Sequence, residues 1–163
     1  MIFIRRAVTA DADAMVALLN DIIAEGGTTA ITDPLTRAAM IDWMSDRPDQ
    51  SAWHLAEDSG GVLLGFQWIG PWHGLPGDTC EIATFVRIGN TGLGIGSRLF
   101  DATRSAAEGL GYAWINAEIR ADNAGGLAYY QSRGFREHGR RDKVALSDHT
   151  EVSKVMTRFD LKD

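Results

Sequence analysis

Between Val86 and Ser97 the chain reads Val-Arg-Ile-Gly-Asn-Thr-Gly-Leu-Gly-Ile-Gly-Ser, a connector in which Gly92, Gly94 and Gly96 alternate. It leaves a strand-like run, Cys80 to Ile88, in which Ile82, Thr84 and Val86 alternate with Glu81, Ala83 and Phe85. It opens a helical run, Ser97 to Glu108, with Leu99, Thr103 and Ala106 on one side. Glycines in that place let backbone N–H groups converge, and the helix start adds partial positive charge. Phosphate oxygens can then be held without a lysine. The plainer alternative is a glycine-rich turn with no ligand; alternate glycines between strand and helix favour the anion site.

Around this unit the periodicity changes twice. Ile2 to Arg6 begins as a β-branched strand run. Met15, Leu18, Leu19, Ile22 and Ile23 then share one helical face, with Thr9 and Asp11 as capping groups before them and Gly26-Gly27 after. Asp33-Pro34 reads as the start of a second helix, whose face is Leu35, Ala39, Met40, Trp43 and Met44. Ser51–Glu57 and Val62–Ile69 read as strands joined by Asp58-Ser59-Gly60-Gly61, a hairpin signal. After the helix that ends at Gly109-Leu110-Gly111, Tyr112 to Ile119 is strand again. Asn123 caps a short helix reaching Tyr130, Gly134 stands at its C-terminal stop, and strands near Phe135–Leu146 and Glu151–Leu161 finish the chain. The order predicts an α/β (α+β) fold: one domain over residues 1–163, with a mixed, mostly antiparallel sheet flanked by helices and one embedded βαβ unit.

Composition narrows the function classes. At 163 residues and 17.8 kDa the folded chain should expose about 8,000 Å² against about 26,000 Å² unfolded, enough burial for a core without metal or disulfide staples. The net charge is −6, which argues against a nucleic-acid partner, because neutralising phosphates needs a positive field. A single cysteine, Cys80, forms no internal disulfide and suits a reducing compartment. The first residues, Met-Ile-Phe-Ile-Arg-Arg, are too soon charged for a signal peptide or membrane span, so a cytoplasmic protein with no membrane partner is expected. His54, His73, His138 and His149 are scattered, and no metal is inferred.

Three phosphate-binding patterns compete for the connector. A P-loop needs Lys-Ser/Thr after its second glycine, whereas Ile95-Gly96 follows Gly94. A dinucleotide fingerprint fails at Ser97, where the final glycine should stand. Glu118 does lie where that fingerprint wants its acidic residue, yet fewer than 50 residues follow it, too few for the remaining parallel strands. The third pattern fits. Gly94-Ile95-Gly96-Ser97-Arg98-Leu99 after Val86, together with Asn123-Ala124-Gly125-Gly126-Leu127-Ala128-Tyr129-Tyr130-Gln131-Ser132-Arg133-Gly134-Phe135, resembles the GCN5-related N-acetyltransferase family. The family's usual Gln or Arg at the head of the glycine motif is Thr91 here. Asn20-Asp21, Thr28-Thr29-Ala30, Gly70-Pro71-Trp72, Glu81 and Ala121-Asp122-Asn123 resemble the phosphinothricin acetyltransferase-like branch.

The resemblance implies a splayed central strand pair and direct acetyl transfer from acetyl-CoA to a primary amine of a small molecule, with no metal. It implies Glu81 as the base and Tyr130 as the acid that protonates the departing thiolate. Each has a structural alternative: Glu81 as a strand residue facing solvent or an arginine, Tyr130 as a core aromatic. For the cofactor it implies Phe85, Val86, Ile88, Thr91, Gly92, Leu93, Gly94, Ile95, Gly96, Ser97, Asn123, Gly126 and Tyr129. Of these, Val86 would supply an oxyanion-binding N–H, Asn123 could be only a helix cap, and Tyr129 could be packing. Thr28, Thr29, Trp72 and His73 are the candidate acceptor residues, and a homodimer is implied by the branch. A non-catalytic acyl-CoA-binding module and a dinucleotide-dependent oxidoreductase are the competing classes.

Overall fold

The computed structural model describes residues 1–162. Seven strands form one sheet in the order β1-β2-β3-β4-β5-β7-β6. The strands are β1 (Phe3–Arg6), β2 (Ala52–Glu57), β3 (Leu63–Gly70), β4 (Thr79–Val86), β5 (Trp114–Arg120), β6 (Arg136–Ala145) and β7 (Glu151–Asp160). The helices are α1 (Ala12–Glu25), α2 (Arg37–Ser45), α3 (Ile95–Gly109) and α4 (Ala124–Arg133). Every neighbouring pair is antiparallel except β4 and β5, which α3 joins as the expected βαβ unit.

That parallel pair is brief. β4 and β5 match only at Thr79–Trp114, Cys80–Ile115 and Glu81–Asn116. Beyond Glu81, β4 stays paired with β3 up to Val86, and β5 stays paired with β7 up to Arg120. The middle of the sheet therefore forks, as the resemblance implied.

Both faces of the sheet carry apolar layers, which explains why β2 to β4 are buried throughout most of their length. On one face α1 lays Met15, Leu18 and Leu19, and α2 lays Met40, against Trp53, Phe66, Trp68 and Phe85. Fully burying such a side chain stabilises by ~1.5–3 kcal/mol. On the other face α3 and α4 cover Ile69, Ile82, Ile115 and Ile119 with Phe100 and Tyr130, joined by Phe135 just after α4. β4 contributes alternate residues to the two layers, so Glu81, Ala83 and Phe85 point one way and Ile82 and Thr84 the other.

The helix starts differ from the sequence reading. Asp11 makes no side-chain cap on α1; its carboxylate accepts from the Val8 N–H at 2.8 Å and pairs with Arg5, and Thr9 is absorbed into a 3-10 turn. Asp33-Pro34 lies ahead of α2, whose true cap is Thr36, accepting from the Ala39 N–H at 3.1 Å. Leu35 is held outside the helix because Asn20 bonds both its N–H and its carbonyl. The stops agree with expectation: Gly26 and Gly134 end α1 and α4 with φ of 76° and 104°.

Candidate active site

Glu81 sits at the crotch of the fork, on the last residue of β4 that still pairs with β5. Its side chain is 7% exposed. One carboxylate oxygen accepts from Asn116 Nδ2 at 2.9 Å, and the other from the Glu118 N–H at 3.2 Å. The diverging edge of β5 thus donates to a carboxylate instead of to β4. Burial pushes the Glu81 carboxyl up to about 8; the Asn116 hydrogen bond opposes the rise, and the nearby Glu118 charge adds to it. Glu118 itself has Arg141 and Lys154 each 3.7 Å from Oε1. A carboxyl poised near neutrality and fixed by two donors can take and return a proton. It faces neither solvent nor an arginine.

Across β4, Tyr130 is buried and its phenol oxygen lies 2.7 Å from Thr84 Oγ1. Gln67 Nε2 donates to Thr84 at 2.8 Å and to the Tyr129 hydroxyl at 3.1 Å, and that hydroxyl donates to the Gly96 carbonyl at 2.7 Å. One polar chain therefore links β3, β4, α4 and the start of α3. Burial raises the Tyr130 phenol far above its ordinary range, so it keeps its proton across the neutral region. Burial also raises Tyr129, to about 12. The Cys80 thiol, next to Glu81, is driven well above the thiolate range by burial and by that neighbour's charge. It offers no nucleophile.

The glycine connector adopts the geometry its composition requires. Gly89, Gly92 and Gly94 have φ of 88°, 83° and 81°, and a Cβ at any of them would meet open space. Gly94 is the N-cap of α3, and the first bond inside the helix runs from the Arg98 N–H to the Gly94 carbonyl at 3.2 Å. The amides of Ile95, Gly96 and Ser97 therefore lack an intrahelical acceptor and are available to an anion. Gly96 is glycine for another reason: a Cβ there would stand 2.6 Å from the Tyr129 ring. Thr91, Gly92 and Leu93 are exposed on the connector, and Ile88 is exposed just before it. The Arg87 N–H donates to the Leu64 carbonyl at 2.8 Å. By antiparallel alternation the main-chain groups of Thr84 and Val86 then point away from β3, into the fork.

Other candidates are used differently. Phe85 buries its ring against Phe66, 5.0 Å between centroids, and the same alternation turns its main chain to β3 and not into the fork. The Asn123 amide is engaged at both ends, accepting from the Gly126 N–H at 2.9 Å and donating to the Thr28 carbonyl at 3.0 Å. Gly126 is small because a Cβ would meet Asn123 Nδ2 at 2.5 Å. Thr29 accepts at its carbonyl from Arg120 at 3.2 Å and lines a cavity of about 220 Å³ with Ile31, Arg120, Leu146 and Asp148. Trp72 and His73 lie on the β3–β4 loop with their rings in tilted contact at 4.9 Å, and Trp72 meets Trp68 edge-on at 6.0 Å. Among the described residues, no hydrogen bond or ring contact joins this pair to the threonines. No group of three His, Cys, Asp or Glu side chains among the described residues is placed to hold a metal ion.

Sequence reasoning missed Asn116, Glu118, Thr84, Gln67 and His138. Asn116, Thr84 and Gln67 are polar residues inside runs that otherwise read as strand core, a signal that buried hydrogen-bond partners must exist. His138 comes within 2.7 Å of Asn116 Oδ1 from a strand far along the chain, and no spacing rule finds it.

The comparisons with known proteins decide the family. Residues 16–135 match the model of the acetyltransferase (GNAT) family. The chain belongs to the GNAT acetyltransferases. It is 32% identical to an L-methionine sulfoximine/L-methionine sulfone acetyltransferase of Pseudomonas aeruginosa, over 86% of this chain and 84% of that one. It is 29% identical to YwnH of Bacillus subtilis, over 98% of this chain and 94% of that one. An N-acetyltransferase crystal structure from Staphylococcus aureus Mu50 superposes with a TM-score of 0.89 at 25% identity, covering 99% of each chain. Within GNAT the chain lies close to the phosphinothricin and amino-acid acetyltransferase branch.

Proposed function

We propose that this GNAT acetyltransferase transfers the acetyl group of acetyl-CoA to the primary amine of an amino acid or amino-acid analogue. The observation that carries the reading is Glu81: a buried carboxyl at the strand fork, held by Asn116 and the Glu118 amide, with its pKa raised to about 8. An amine reaches an active site mostly as the ammonium ion and cannot attack until it gives up a proton. Glu81 takes that proton, directly or through one water.

The remaining residues fit the donor. The amides of Ile95, Gly96 and Ser97, with the open left-handed turns at Gly92 and Gly94, suit the diphosphate of coenzyme A. Thr91, shorter than the family's usual Gln or Arg, leaves those main-chain amides as the principal contacts. The inward-facing main chain of Thr84 and Val86 suits the amides of the pantetheine arm, and the Val86 N–H is the donor for the carbonyl oxygen on which charge develops. Bound acetyl-CoA supplies a thioester carbonyl; Tyr130 holds the proton that the departing sulfur needs. Thr28 and Thr29 line the acceptor side, where the α1–α2 loop is tied to Arg120 and Asn123. The amino-acid class of acceptor rests on the identity with an acetyltransferase named for two methionine derivatives. A pair of copies in solution belongs to the same reading, and sedimentation checks it.

The test is release of free thiol from acetyl-CoA with a panel of amino acids, their sulfone and phosphinic analogues, and polyamines. Turnover with one or more amino-acid acceptors is expected. Tight binding of acetyl-CoA with no turnover for any amine would favour a non-catalytic acyl-CoA-binding module instead.

A further inference from the structure

β6 is broken by a bulge where the register moves from Glu137–Thr157 to Gly139–Met156, leaving His138 without a partner on β7. The freed residue carries its ring across β7 to Asn116, with Nε2 2.7 Å from Oδ1. Asn116 is 2% exposed, and its other end donates to Glu81. The His138 and Trp114 rings also meet at near right angles, 5.5 Å between centroids. The three side chains form a line from the solvent side of the sheet to the fork.

Their chemistry allows one self-consistent arrangement. An ionised Glu81 only accepts, so Asn116 must turn its NH₂ toward it and its oxygen toward His138. The imidazole then carries its hydrogen on Nε2 and donates. Although His138 is largely exposed, partial desolvation and the nearby charges of Arg158 and Arg136 hold its pKa below its ordinary value, which favours the neutral ring. A protonated Glu81 would want the Asn116 oxygen, which His138 already occupies. We propose that His138 is a positioning residue that locks the Asn116 amide in the orientation favouring the carboxylate form of Glu81. The proposal rests on Glu81 being the base.

The other groups facing this line do not supply the same bias. On β5 Glu118 disfavours a second charge, and its own cations, Arg141 of β6 and Lys154 of β7, reach it and not Glu81. β4 contributes the Cys80 thiol, α4 contributes the neutral Tyr130 phenol, β3 pairs Gly70 with Glu81, and α1 presents apolar side chains. Around His138, Arg136 and Arg158 are both paired with Asp160.

The experiment compares pH profiles of kcat/KM for the native enzyme, His138→Phe and His138→Gln, with Glu81→Gln as reference. It adds carboxyl carbon-13 NMR titration of Glu81 in the first three proteins. His138→Phe keeps a ring against Trp114 but cannot donate; His138→Gln restores a donor. In His138→Phe the acid limb and the Glu81 titration should both move about half a pH unit upward, roughly a threefold loss at pH 7, with the alkaline plateau kept. His138→Gln should return both toward native. A uniform loss at all pH values, or an unmoved titration, overturns the proposal. An acid limb and rate that survive in Glu81→Gln overturn the base assignment instead, and the NMR titration still reads whether His138 governs Glu81.

Discussion

As the proposed base, Glu81 would face two demands that conflict in water: it would need to be charged to accept a proton, and it lies where charge is poorly solvated. The conflict sets its pH behaviour. The base form appears only as pH rises through about 8, so kcat/KM should climb about tenfold per pH unit below that value and level off above it. Glu81→Gln should lower kcat by ~10²–10⁴ with little change in acetyl-CoA affinity, measured by thiol release and by titration. Stability carries the same signature with the opposite sign. Because the folded pKa is raised, the folded chain keeps a proton the unfolded chain has lost between about 4.5 and about 8, so this residue's contribution falls across that window by at most ~1.4 kcal/mol per pH unit. Denaturant unfolding should show Glu81→Gln gaining on the native enzyme as pH rises. Tyr130→Phe keeps the ring packed against Phe135 and should fold with a loss of ~0.5–1.5 kcal/mol, while kcat drops. Glu81 and Tyr130 stand out in the sequence as candidates through the resemblance to the GNAT motifs, while their burial and partners come from the fold. Asn116, Thr84 and His138 do not stand out, since strand pairing brings them in from segments whose spacing carries no information about the fork.

At the scale of elements, alternation and helical periodicity placed all four helices and seven strands, but local competition moved their starts. Asp11 reads as a cap and is instead claimed by Arg5; Thr36 caps α2 because Asn20 holds Leu35 out of the helix. Such outcomes depend on residues from another element, which a local pattern cannot contain. Thr36→Ala should cost ~1 kcal/mol in chemical denaturation without changing turnover. The connector invites a sharper comparison. Gly94→Ala introduces left-handed strain at a position with free space, whereas Gly96→Ala drives a methyl into the Tyr129 ring. Gly96→Ala should therefore lose ~1–3 kcal/mol of stability and weaken coenzyme A binding together, because it displaces the residue whose hydroxyl holds the Gly96 carbonyl.

For the molecule as a whole, the consequence of the fold is that residues distant in the chain meet at one break in one sheet. The mostly antiparallel sheet and its single parallel pair were readable from element order. The insertion of β7 between β5 and β6 was not, because hairpin neighbours give no hint of which of them pairs with the centre. The same placement ties the α1–α2 loop to the end of β5 through Arg120 and Thr29. Arg120→Met should accordingly raise KM for the amine more than KM for acetyl-CoA in steady-state kinetics. The acyl-donor half of the proposal rests on the unpaired amides that open α3 and the fork beneath them, and calorimetric titration of the native protein with coenzyme A tests them most directly. One saturable site per chain, weakened in Gly96→Ala and not occupied by NAD or NADP, is the predicted result; no heat of binding at millimolar coenzyme A would contradict the account.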